Sequence, residues 1–157
     1  MSQYAVTIII AALLLVFVVY QQMRTRSIQS RQLIVVPVFL ALLGIINLQK
    51  HPPDSTAASV ALAASVLTAI VFGVGRGVTV QIWRAGDVLM RKGTAATLVL
   101  WVVGIALRIV IGIVAGRSGV PTSVTTGELP LFLGITLAAQ NVLIWLRSQE
   151  VAVARAS

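Results

Sequence analysis

Five apolar stretches of membrane-spanning length, at about 4–20, 32–48, 57–75, 94–116 and 129–147, fill most of the 157 residues and leave only short polar connections. A helix needs about 20 predominantly apolar residues to cross the hydrocarbon core, and runs placed this closely leave no room for a water-facing domain. Charged residues make up 10% of the chain and hydrophobic residues 58%, whereas an average soluble domain is roughly 25% charged. A chain this short exposes too much of its area to hide so much apolar surface from water. The expectation is an all-α membrane protein, a single polytopic domain over 1–157 with five transmembrane helices. The first run has no basic residue before it and is followed by Arg24, Arg26 and Arg31, the reverse of a cleavable signal, so it is read as an uncleaved span.

The formal net charge is +8. In a soluble protein such a balance points to nucleic acid, but here the cations flank apolar runs, where they set membrane orientation. No nucleic-acid partner is expected. One side collects Arg24, Arg26, Arg31, Arg76, Arg84, Arg91, Lys92, Arg147 and Arg155, the other Lys50 and Arg117, and Arg108 lies inside a span. The asymmetry predicts an N-out, C-in multi-pass protein.

Two spans carry small residues at four-residue spacing. In the third run Ala57, Ala61, Ser65, Ala69, Gly73 and Gly77 fall on one face, and in the fourth Gly104, Gly112 and Gly116 share a face with Arg108. Small faces let backbones approach where lipid supplies no hydrophobic drive between helices. Ala69, Gly73, Gly77, Gly104, Gly112 and Gly116 are therefore packing candidates, with the third span central. In the second run Pro37 removes a backbone donor, which is tolerated when a neighbour satisfies the freed carbonyl.

After Arg76 the period changes from helical to alternating. Val78, Val80 and Ile82 interleave with Thr79, Gln81 and Trp83, then Gly86-Asp87 offers a turn before Val88-Leu89-Met90-Arg91. This reads as a short cytoplasmic β-hairpin between the third and fourth spans. An interfacial amphipathic helix is the competing reading, weakened by Gly86 and Gly93. Arg84, Arg91 and Lys92 lie where basic side chains meet anionic lipid.

The residues that could carry chemistry are few. There is no cysteine and one histidine, His51, in a His-Pro-Pro turn, which leaves thiol chemistry out and any metal or haem site short of ligands. No cofactor is expected, and Ser, Asp and Glu show no catalytic spacing, so the chain reads as non-enzymatic. Arg108 is the sharpest single residue, since a charge within a span costs about 3 kcal/mol on insertion scales. It either contacts an anion or a lipid headgroup, or is a structural arginine satisfied by carbonyls and amides, among them those of Gln140 and Asn141; no Asp or Glu falls within any of the five runs. Gln140 and Asn141 either line a polar path with Arg108 or hold helices together.

The run from Val78 to Ile109, VTVQIWRAGDVLMRKGTAATLVLWVVGIALRI, resembles the central part of CcdC-like proteins, small bacterial membrane proteins named from a cytochrome c biogenesis operon. Arg91-Lys92 and Arg108 match that family's basic pair and inward arginine, and the second span with Pro37 and Gly44 is similar to its basic-then-apolar run. The chain departs in the last span, where Gln140-Asn141 replaces a polar, often basic element. The resemblance implies a bacterial plasma-membrane protein without defined biochemistry of its own. The expected role is that of an accessory or interaction protein. Its partners would be the bilayer with its anionic lipids, and a membrane protein or a second copy of the chain. The alternative is a small transporter or channel component with Arg108, Gln140 and Asn141 along the path.

Overall fold

The computed structural model describes residues 16, 17, 20, 21 and 23–154. Most of the first predicted span, and Arg155, lie outside them. The order is β1 (Arg26–Ser27), α1 (Ser30–Lys50), α2 (Thr56–Thr79), β2 (Gln81–Ala85), β3 (Val88–Lys92), α3 (Ala95–Arg117), α4 (Thr122–Gly127) and α5 (Leu129–Val153). Four stretches are long and apolar enough to cross a membrane: Leu33–Lys50, Thr56–Thr79, Ala95–Arg117, and Thr122–Val153, which joins α4 to α5.

The long helices alternate in direction. α1 begins, α2 ends and α3 begins beside the strands (the sheet end), while α1 ends, α2 begins and α5 begins at the opposite loop end. α5 packs against both α1 and α2, and α2 also packs against α3. α2 and α5 are thus the inner pair, and large apolar side chains such as Ile34, Phe39, Val99 and Ile109 point outward. That surface suits hydrocarbon, in which every backbone polar group must be satisfied within the protein.

Small residues set the helix crossings. On α2, Ala69 is fully buried; a Cβ at Gly73 would lie 2.5 Å from the Thr136 carbonyl oxygen, and one at Gly77 2.5 Å from Leu143 Cβ. Gly104 of α3 faces the Phe72 ring at 3.3 Å. The stripe does not continue along α3 as the spacing suggested. Gly116 has nothing within 4 Å, and the nearest atom to a Cβ at Gly112 is Nη1 of Arg108 at 3.4 Å. Gly112 makes room for the arginine of its own helix, and the close packing at this end of α3 runs instead through Ala115, which is buried in a cluster with Ala58 of α2 and Val124 of α4. The tightest crossing, between α1 and α5 at Gly44 and Gly134, was not singled out as packing, although Gly134 and Ala138 repeat the small spacing.

Pro37 sits within α1 and cannot donate to the carbonyl of Leu33, one turn back. Asn141 of α5 supplies the missing donor, its Nδ2 lying 2.8 Å from Leu33 O. Without it that carbonyl would be orphaned in an apolar setting, at a cost of about 1–3 kcal/mol.

α2 runs to Thr79, one turn beyond the predicted end, because its last carbonyls find partners. Nη1 of Arg147 donates to the carbonyls of Gly77, Val78 and Val80 at 2.7, 2.9 and 2.8 Å, and Thr94 Oγ1 donates to Thr79 O at 2.9 Å. A cation here also opposes the negative end of the helix dipole. Thr94 then caps α3 in a capping box with Thr97. The hairpin is present, with Ala85 opposite Val88 and Trp83 opposite Met90. Gly86 opens its two-residue loop at φ +61°, the left-handed conformation glycine adopts without strain at that position.

The connection after the first predicted span contributes a third strand. β1 pairs antiparallel with β3, giving the order β1-β3-β2. Its register sets Arg26 opposite Arg91 and Ser27 opposite Met90. α5 continues through Val153, beyond the predicted end of the fifth span.

Candidate functional site

Three polar assemblies stand out, two inside the helices and one at the sheet end. The first is a buried ion pair at the loop end. Nη2 of Arg108 lies 2.6 Å from Oε1 of Glu128, with both side chains almost fully buried, and also donates to Thr125 O at 2.5 Å. Ser65 Oγ of α2 donates to the same carboxylate oxygen at 3.0 Å. Arg108 Nε is buried without a hydrogen-bond partner. Of the groups the sequence offered to Arg108, a backbone carbonyl is present, whereas Gln140 and Asn141 are bonded elsewhere and the acidic partner comes from Glu128, just outside the last apolar run. Glu128 falls between the fourth and fifth apolar runs, and the short helix α4 turns that connection inward and delivers the carboxylate to the arginine.

The second assembly centres on Arg76, which is only 2% exposed although the charge pattern groups it with the cations that flank the spans. Its Nε donates to Gln140 Oε1 at 3.2 Å and its Nη2 to Thr136 Oγ1, both on α5. Its guanidinium carbon sits 4.0 Å from the centroid of the Trp101 ring on α3, a cation–π contact strengthened by desolvation. Arg76 thus joins α2 to both neighbouring helices. The helical spacing from Ala69 and Gly73 places it on the packed face, which is the signal that could have found it.

These arrangements separate the three residues grouped as a polar path. Gln140 bonds Arg76, Asn141 bonds the backbone of α1, and Arg108 bonds Glu128. Twelve residues of helix, about 18 Å, lie between Glu128 and Gln140 along the chain.

The third assembly is a cleft of about 420 Å³ beneath the sheet, lined by Arg24, Arg26, Arg91 and Lys92 together with Gln21 and Gln140. Phe17 and Val36 complete it on the apolar side. The volume falls within the range of small-ligand sites. Arg26 donates to Gln21 Oε1, and among the described residues no carboxylate lies within ion-pair distance of any of the four cations. Burial first, and then the charge of Arg26, push the Arg91 guanidinium below its ordinary value. Arg84, grouped with Arg91 and Lys92 in sequence, stands apart at the hairpin turn, where its Nε donates to Gly86 O at 2.9 Å and Asp87 lies 3.7 Å away.

No protein-family model, curated protein or solved structure matches the chain.

Proposed function

We propose that the chain is a CcdC-like, non-enzymatic accessory protein of a bacterial plasma membrane, with its N-terminus outside, its C-terminus inside and the sheet end as its cytoplasmic working face. One observation carries this reading. The buried arginines of the described spans, Arg76 and Arg108, are engaged with protein groups, whereas the cleft cations at the sheet end have no acidic counterpart among the described residues. Arg108 and Arg76 lock helices together; the cleft presents unneutralised charge. Sheet-end cations Arg24, Arg26, Arg31, Arg84, Arg91, Lys92 and Arg147 outnumber Lys50 and Arg117 at the loop end, which favours a cytoplasmic sheet. The transport alternative asks for a continuous polar lining, and the residues offered for it sit in three separate settings.

Two measurements test the proposal. Purified protein in liposomes loaded with chloride or phosphate is expected to release neither faster than empty liposomes do. Efflux above that background would make it a transporter or channel component. For orientation, the chain has no native cysteine, so single cysteines report without background. Cysteines replacing Asp54 and Ser123 should react with an impermeant thiol reagent on intact cells, and one replacing Asp87 at the hairpin turn only after permeabilisation. Reaction at position 87 in intact cells would reverse the assignment.

A further inference from the structure

The β1–β3 register sets two arginines, Arg26 and Arg91, directly across from each other, although like charges in directly opposed positions destabilise a sheet. No carboxylate among the described residues relieves them. Arg24 and Lys92 add to the same cleft, and its rim carries the exposed apolar side chains of Phe17 and Val36. A guanidinium pair held by backbone pairing is pre-organised to take the oxygens of a tetrahedral anion in forked hydrogen bonds. The apolar rim is suited to what such an anion would carry if it belonged to a lipid.

We infer that the cleft beneath the three-stranded sheet binds a phosphate group through Arg26 and Arg91, with Arg24 and Lys92 adding charge, and that its preferred source is the headgroup of an anionic phospholipid whose chains lie along Phe17 and Val36. This deepens the reading of the sheet end as the working face and rests on it. Gln140 lines the cleft and bonds Arg76, so an occupied cleft adjoins the assembly that ties α2 to α5. The anion neutralises repulsion that the free protein carries, and binding therefore stabilises the fold.

The test uses the full chain in neutral-lipid nanodiscs, with thermal unfolding and apparent affinity as readouts. Inorganic phosphate is titrated in one arm, and phosphatidylglycerol is added to the discs in the other. The expected result is a rise in Tm with phosphatidylglycerol at lower concentration than with inorganic phosphate. Arg26→Gln and Arg91→Gln should each weaken binding by more than about tenfold while leaving the ligand-free Tm equal to or above that of the wild type, because repulsion is removed. Arg84→Gln, outside the cleft, should weaken it by no more than about fivefold, the contribution of one cation near an anionic surface. A response to inorganic phosphate that equals the lipid response supports the phosphate site and assigns it to a free anion. No rise in either arm overturns the site. So does an equal loss in Arg84→Gln and Arg91→Gln, which would mean general surface attraction, and so does a lowered ligand-free Tm in Arg91→Gln, which would make that arginine structural. None of these failures touches the liposome efflux result, so the accessory reading stands or falls separately.

Discussion

Glu128→Leu is expected to lower stability by about 3–5 kcal/mol, the usual cost of stranding one partner of a buried ion pair. The carboxylate accepts from Arg108 at 2.6 Å and from Ser65 at 3.0 Å, so it links α3 to α2 at the loop end. Removing it leaves the guanidinium with only the Thr125 carbonyl, 2.5 Å from Nη2, in a setting from which water is excluded. Arg108 Nε already has no partner, so little spare bonding exists to absorb the loss. Glu128→Gln keeps an acceptor and loses the charge, and should fall between wild type and Glu128→Leu. Thermal unfolding in a single detergent checks the ranking. Equal stability of Glu128→Leu and wild type would mean that the pair is not buried as described.

Gly134→Leu, with Gly44→Leu, is expected to be among the most damaging packing changes, at about 1–3 kcal/mol or somewhat more, the range for overpacking. A Cβ at position 134 would stand 2.5 Å from Ala41 N and 2.9 Å from Ala41 Cα, with Pro37 O at 3.0 Å. These are backbone atoms of α1 and cannot turn aside as a side chain can. The helices would have to separate, and the Asn141 bond to Leu33 O would lengthen with them. Gly44→Leu should behave alike, since its Cβ would overlap the backbone of Leu131. Gly116→Leu meets nothing within 4 Å and serves as the neutral control. Comparable melting of Gly134→Leu and Gly116→Leu would contradict the α1–α5 crossing.

Much of this fold could be read from one sequence because hydrocarbon imposes length and composition on a spanning helix. The runs ending near Asn47, beginning near Thr94 and passing through Gln140 correspond to α1, α3 and α5, and the change of period after Arg76 marked the hairpin. Asn141 as an interhelical bond is legible in the sequence, because Pro37 leaves a carbonyl of the second run that needs a donor. Glu128 was not legible, because a lone acid in a Thr-Gly-Glu-Leu-Pro stretch reads as loop and nothing local announces that a six-residue helix turns it inward. Arg76 was miscounted for a related reason. It follows the most apolar part of its run, and only the helical spacing from Ala69 and Gly73 places it on the buried face. The strand Arg26–Ser27 is too short for any alternation to show, so the opposition of two arginines became visible only with the sheet register.

The central claim is that the charges inside the spans hold the helices together rather than serve a ligand. The most direct measurement is a double-mutant cycle on Arg108→Leu and Glu128→Leu by thermal unfolding in neutral nanodiscs. A structural pair predicts that the double variant recovers most of the stability lost in Glu128→Leu, as apolar replacement of buried ion pairs does, and that its phosphatidylglycerol-induced rise in Tm matches wild type. Additive losses across the two positions, or a double variant that folds well and has lost the lipid response, would contradict the account.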